Sequence, residues 1–233
     1  DEYLLETAHG LLPNIPFLQS NPDSKMQYIA DAGLVHAVGY SWGPAILRPG
    51  GEERYCLLAK YLSARYGAYP VIWTLAGELG GYLTDGMTGL AQKWQHVAQV
   101  TAKWNDGLTL QSVHFAATRP FPDVYQNEPW FHFGMSQAAH GDMDLSPQWY
   151  VDYRSKYPRR PLVESEGLYE GALSNERYHR TITDSMMREL AWTAIQNGCC
   201  GYTYGCNGVW ELQWESGVGG IGWGDMSWWE GLA

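Results

Sequence analysis

The strongest constraint on the fold is an alternation of strand-like and helix-like segments over most of the chain. NPDSKMQYIADAG reads as a helix, with Asn21 as cap, Pro22 at the first helical position and Gly33 as stop. The apolar run LVHAVGYSWG follows as a strand. EERYCLLAKYLSARYG is a helix stopped by Gly67, and VIWTLAGE is a strand. TGLAQKWQHVAQVTAKW is a helix with Leu90, Trp94, Val97, Thr101 and Trp104 on one face. LTLQSVHF and WFHFGMSQ read as strands, SPQWYVDYRSKYP as a helix and PLVESEG as a strand. NERYHRTITDSMMRELAWTAIQNG is a long helix, and CCGYTYG closes the series as a strand. Strands that alternate with helices pair in parallel, because the crossing helix returns the chain to the same end of the sheet.

Two architectures satisfy that pattern, a (β/α)8 TIM-type barrel and an open doubly wound sheet. No G-x-G-x-x-G follows any strand, which weakens a dinucleotide-binding sheet. Polar residues end nearly every strand: Ser41, Glu78, His114, Gln137, Glu166 and Tyr204. A barrel builds its site at that end, so the α/β barrel is the preferred reading, as one domain over residues 1–233. Residues 1–20 do not read as β/α units, so the barrel lacks or alters its first two. A further N-terminal segment or a second chain is the expected partner that completes it. The chain begins at Asp1 without Met and shows no signal peptide, which reads as a processed form or a piece of a longer polypeptide.

Composition narrows the function. The net charge of −10 repels phosphate backbones, and no apolar stretch approaches a membrane span, so neither nucleic acid nor membrane is an expected partner. The cysteines Cys56, Cys199, Cys200 and Cys206 show no C-x-x-C spacing and read as small buried thiols, with one disulfide through Cys206 left open. The chain carries 12 Trp and 16 Tyr, enough both to fill a core and to line a site that stacks on ring-shaped ligands.

The carboxylates carry the chemistry. Alternation in PLVESEG puts Glu164 and Glu166 on one face with Leu162, and in VIWTLAGE it groups Ile72, Thr74, Ala76 and Glu78. Two strands thus each bring a carboxylate to one rim. A single such Glu is more often paired to an arginine, for which Arg48, Arg119 and Arg188 are available. Two of them beside many aromatics suit glycoside hydrolysis, where one carboxyl protonates the leaving oxygen and the other attacks the anomeric carbon or activates water. Trp42, Trp130, Trp210, Trp214, Trp223, Trp228 and Trp229 are candidate sugar platforms.

Four stretches in order resemble the apiosidase-like glycoside hydrolases, and together they cover most of residues 30–230. RYGAYPVIWTLAGE resembles the family's x-I-W-x-L-x-G-[D/E] strand, and WFHFGMSQAAHGD its W-x-D-F-x-x-x-Q-x-G-H segment. RPLVESEGLYEG resembles P-x-x-x-x-E-P-x-Y-E, and RELAWTAIQNGCCGYTYGCNGVW the closing element that ends T-Y-G-x-N-x-x-W. The resemblance implies a barrel, Glu78 as general acid/base and Glu166 as nucleophile. It implies Gln137 and His140 as sugar or carboxylate contacts and matches Tyr169 and Glu170. Several positions depart from the pattern: Glu78 stands where many members carry Asp, Gly167 replaces Pro, His132 replaces Asp and Ala139 replaces Gly. They mark a distant subfamily and do not carry apiose over as the sugar.

Further roles follow. His114 is expected to bind a sugar hydroxyl, Tyr204 to hydrogen-bond Glu166, and Trp42 and above all Trp210 to stack on the sugar. Glu164, one layer deeper, is expected to be structural. No cofactor or metal is expected. The expected function is retaining cleavage of O-glycosidic bonds in a plant or microbial oligo- or polysaccharide, by a secreted or periplasmic protein. The alternatives are a non-catalytic carbohydrate-binding protein on the same barrel and, less favoured, a metal-dependent hydrolase using His36, His114, His132 and His140. No H-x-H or H-E-x-x-H spacing supports that last reading.

Overall fold

The computed structural model describes residues 2–79, 89–115, 121–137, 147–158, 160–172 and 181–206. The chain forms two compact units, one of Asp1–His114 with Phe121–His132, the other of Phe115–Pro120 with Phe133–Ala233.

The first unit opens with an antiparallel hairpin, β1 (Leu4–Thr7) and β2 (Gly10–Pro13), in which Leu5 faces Leu12. Helix α1 (Ile15–Ser20) follows, its end capped by the Asn14 side chain, which accepts from the Phe17 N–H. A hairpin and a short helix thus occupy the stretch that did not read as β/α units. From there the sequence pattern holds: α2 (Pro22–Asp31), β3 (His36–Trp42), α3 (Gly51–Tyr66), β4 (Val71–Gly77) and α4 (Leu90–Trp104). Strands β3 and β4 pair in parallel. Residues 110–114 run along the other side of β4: Trp73 N–H donates to Leu110 O at 2.9 Å, and Ser112 N–H to Trp73 O at 2.8 Å.

Helix α4 buries Leu90, Trp94, Val97 and Thr101, the face its period predicts. Trp94 is fully buried, and its indole N–H donates to Gly43 O at 2.8 Å, which satisfies its polar atom. Trp104, expected on the same face, is 44% exposed. It sits in the last turn, where the Lys60 ammonium lies 4.4 Å from its ring centroid.

The second unit contains β5 (Gly134–Ser136), α5 (Pro147–Lys156), β6 (Leu162–Glu164), β7 (Tyr169–Glu170), α6 (Asp184–Gln196), β8 (Gly201–Tyr202) and β9 (Gly205–Cys206). Strands β5, β6 and β8 form a parallel sheet in that order, and β7 pairs in parallel with β9. CCGYTYG, read as one strand, is therefore split between two sheets. Helix α6 begins at Asp184 rather than near Asn175, because Thr183 adopts an extended conformation and its hydroxyl accepts from the Met186 N–H. Leu168, Ile182, Met187 and Leu190 form a buried cluster beneath it. The four cysteines are thiols rather than disulfide partners. The architecture is mixed α/β with parallel pairing in both units.

Helices α2 and α3 are tied by Asp23, which accepts from Arg65 Nε and from the Tyr66 hydroxyl, each at 2.8 Å. The Arg65 hydrogen bonds hold the Asp23 carboxyl below its usual range. A depressed carboxyl contributes stability above its unfolded value and loses it as pH falls through the folded value. Asp23→Asn is therefore expected to be less stable than the parent at neutral pH, by no more than about 1 kcal/mol because the pair is partly solvated. The difference should vanish in acid, as read by urea unfolding across pH.

Candidate active site

Strand β4 is irregular where it delivers Glu78. In a regular parallel ladder, successive donors and acceptors lie two residues apart. After Ser112 N–H bonds Trp73 O, the next bond should reach Leu75 O, but His114 N–H reaches Ala76 O instead, at 3.0 Å. His114 O then accepts from Leu79 N–H at 3.0 Å and passes over Glu78. Each slip adds one residue, and the added residues carry positive φ: 33° at Leu75 and 50° at Glu78. The alternation that grouped Ile72, Thr74, Ala76 and Glu78 therefore breaks at Leu75. Ala76 is buried while Ile72 and Thr74 are half-buried. Leu79, fully buried, takes the core position, and Glu78 stays half-buried.

The Glu78 amide, displaced from the ladder, donates to His114 Nδ1 at 3.3 Å. His114, expected on a sugar hydroxyl, thus spends one ring nitrogen on the backbone of Glu78. Holding a non-glycine residue in the left-handed region costs about 1–3 kcal/mol and persists only where the surroundings enforce it.

Trp42 is the register partner of Gly77 on the neighbouring strand. Its ring lies so close to Gly77 that a Cβ there would sit 2.9 Å from Trp42 Cε3. The ring is backed by strand backbone next to Glu78, and the residue remains 61% exposed.

In the second unit, the carbonyl of Ser136 at the end of β5 accepts from two successive amides, Ser165 at 2.9 Å and Glu166 at 3.1 Å. It also accepts from the Ser165 hydroxyl at 2.7 Å. This doubling ends the β6 alternation, so Glu164 and Glu166 fall in different environments. Glu164 is fully buried, and its Oε2 accepts from Ser136 Oγ at 2.6 Å and from the Tyr150 hydroxyl at 2.9 Å. Burial, with Glu164 adding to it, pushes the Tyr150 phenol up. Burial and Glu164 likewise push the Cys199 thiol up to about 12.

Glu166 is half-buried, and its Oε1 accepts from the Tyr169 hydroxyl at 2.7 Å. The donor expected from sequence was Tyr204, whose hydroxyl goes instead to Oε2 of Glu170, itself buried. The cause is register. Strand β9 pairs Gly205 with Tyr169 and Cys206 with Glu170, which brings Tyr204 to Glu170. Gly205 also lets the Tyr169 ring approach, since a Cβ there would lie 2.8 Å from Tyr169 Cδ1. Tyr169 is three residues from Glu166 in sequence, and that spacing was the available signal for this contact.

Of the remaining candidates, Gln137 directly follows β5 and is 2% exposed. Trp130 is buried against Tyr125 and Phe131, and so is core. His140, Arg119 and every residue from 207 on, including Trp210, Trp214, Trp223, Trp228 and Trp229, lie outside the described residues. Arg188 pairs with Asp184 on its own helix. His132 exchanges bonds with Gln111: its Nδ1 accepts from the Gln111 N–H at 2.9 Å, and its own N–H donates to Gln111 O at 3.1 Å. His36 Nδ1 lies 3.1 Å from Met26 Sδ. Among the described residues, no group of His, Cys, Asp and Glu is placed to hold a metal ion.

Each unit thus carries a half-buried glutamate at the end of a parallel strand. The chain belongs to the apiosidase-like catalytic-domain family, whose model matches residues 6–233. Its fold is shared by solved glycoside hydrolases. One, described only as a glycoside hydrolase, is 21% identical over 87% of this chain and 48% of its own, with TM-score 0.71. A glycoside hydrolase family 5 protein from Bacteroides vulgatus ATCC 8482 is 19% identical over 92% of this chain and 49% of its own, with TM-score 0.72. Cel5A of Thermotoga maritima, solved with cellobiose, is 9% identical over 88% of this chain and 73% of its own, with TM-score 0.58. The chain spans about half the length of the first two. No curated protein matches it.

The strain at Glu78 has a measurable consequence. Glycine adopts positive φ at no steric cost, so Glu78→Gly is expected to melt at or above the parent's temperature. A clear fall in melting temperature would show that the Glu78 side chain stabilises the fold.

Proposed function

We propose that this chain is the catalytic part of a retaining glycoside hydrolase, built on a (β/α)8 barrel whose first two β/α units are altered. The observation that carries the reading is the different placement of three glutamates. Glu164 is buried on two hydroxyls, whereas Glu78 and Glu166 stand half-buried at breaks in their ladders. Carboxylates that do chemistry need access to substrate, and a fixed direction.

In this mechanism Glu166 attacks the anomeric carbon while Glu78 protonates the departing glycosidic oxygen. A glycosyl ester on Glu166 forms, and Glu78, now deprotonated, takes a proton from the water that cleaves it. The Tyr169 hydroxyl, which donates to Oε1, directs Glu166. Trp42 stacks on a sugar ring beside Glu78. We assign Gln137, His140, Tyr204 and Trp210 to the rest of the sugar site, Tyr204 by way of Glu170. The substrate is an O-linked oligo- or polysaccharide of plant or microbial origin, met outside the cytoplasm.

The test is a panel of aryl glycosides with the parent, Glu166→Gln and Glu78→Gln. Glu166→Gln should lose activity on every substrate by about 10³-fold or more, the scale of an essential group. Added azide should rescue Glu78→Gln as a glycosyl azide of retained configuration. Tight oligosaccharide binding without turnover in the parent would instead identify a binding module. In a crystal with a covalent inhibitor, the two carboxyls should lie about 5–5.5 Å apart, whereas a separation near 8 Å would indicate inversion.

A further inference from the structure

We propose that His114 is the positioning residue for the general acid: it holds the Glu78 peptide in the conformation that aims the carboxyl, and it is not a sugar-hydroxyl contact. This rests on the reading of Glu78 as acid/base. Three hydrogen bonds from this one residue span four consecutive residues of the neighbouring strand end. Its N–H donates to Ala76 O, its Nδ1 accepts from Glu78 N–H, and its carbonyl accepts from Leu79 N–H. The two main-chain bonds define a bulge around the Glu78 peptide. The imidazole adds a bond to that peptide's own N–H, which is turned out of the ladder where φ is 50°. An imidazole that accepts at Nδ1 carries its proton at Nε2, so the clasp works with the neutral ring.

The Glu78 carboxyl lies at the end of a short side chain rooted in that peptide, so rotation of the peptide sweeps the carboxyl through space. General acid catalysis requires hydrogen-bond reach to the leaving oxygen, and a misplacement of about 1 Å can cost about 10²-fold. Loss of the clasp should therefore weaken protonation of the leaving group and leave attack by Glu166 intact. That signature depends on the leaving group: a poor one needs the proton, and an activated one departs without it.

The experiment compares His114→Asn, His114→Gln and Glu78→Gln in the full chain, on phenyl and dinitrophenyl glycosides of the sugar the parent cleaves. Asparagine puts its oxygen where Nδ1 stood, and glutamine puts its own where Nε2 stood. His114→Asn should keep kcat within about threefold of the parent on both substrates, because the acceptor is retained. His114→Gln should lose about 10–100-fold in kcat/KM, which reports leaving-group departure and not the later hydrolysis, on the phenyl glycoside and little in kcat/KM on the dinitrophenyl one. The reverse order, with glutamine active and asparagine impaired through KM on both substrates, would overturn the proposal in favour of a sugar contact. An equal loss of kcat/KM on both leaving groups would overturn it in favour of a purely structural role. Glu78→Gln is the control for the reading beneath it. If that variant shows no dependence on the leaving group, Glu78 is not the acid and the proposal falls with it. If it shows the dependence and His114→Gln does not, only the proposal falls.

Discussion

A buried parallel ladder must satisfy every main-chain donor, and this one requirement organises both candidate carboxylates. When a strand carries one residue more than its neighbour can pair, the surplus N–H needs another acceptor. At Glu78 the acceptor is a side chain, His114 Nδ1. At Glu166 it is a main-chain oxygen, Ser136 O, shared with the preceding amide. In both cases the surplus residue leaves the alternation of the strand, and its side chain stands half-buried. Had the β6 ladder run on regularly, alternation would have carried Glu166 to the face of the buried Glu164.

The carboxylates then divide by environment rather than by residue type. Glu164 and Glu170 are buried and held by tyrosine hydroxyls, Tyr150 and Tyr204 respectively, with Ser136 adding a second donor to Glu164. A buried carboxylate without donors is costly, so these phenols are a condition of having glutamates there at all. The high phenol pKa of Tyr150 and Tyr204 is the same fact seen from the other partner, since burial and a neighbouring acidic group both disfavour a phenolate. Glu166 keeps one tyrosine and partial exposure, which leaves it both directed and reachable.

Much of this was legible in the sequence. Strands β3, β4 and β6 and helices α3 and α4 follow from apolar period and glycine or proline stops, and both strand-tip glutamates stand out as carboxylates that end apolar runs. The slips were not legible. Leucine has no local preference for positive φ, so nothing at Leu75 announces that alternation will break there. Tyr204 bonds Glu170 rather than Glu166, and that choice is not legible because it depends on the register of β7 against β9, a long-range pairing of two short strands. The start of helix α6 at Asp184 is not legible because the deciding cap at Thr183 is a single hydroxyl. Trp104 kept the helical period yet sits at the end of its helix, where a lysine and solvent replace the core.

One device recurs in both units. Trp42 lies against Gly77, its register partner, and Tyr169 lies against Gly205, its own. In a parallel pair a side chain normally meets the side chain opposite it. Where the partner is glycine, the ring settles onto the backbone and gains a rigid support. Each supported ring adjoins a candidate catalytic residue, Trp42 through the Gly77–Glu78 peptide and Tyr169 through its hydroxyl on Glu166. Glycine in a strand usually weakens it. Here the missing Cβ fixes an aromatic ring, so the sheet gives up packing at two positions and gains direction at the groups proposed to touch the sugar and the nucleophile.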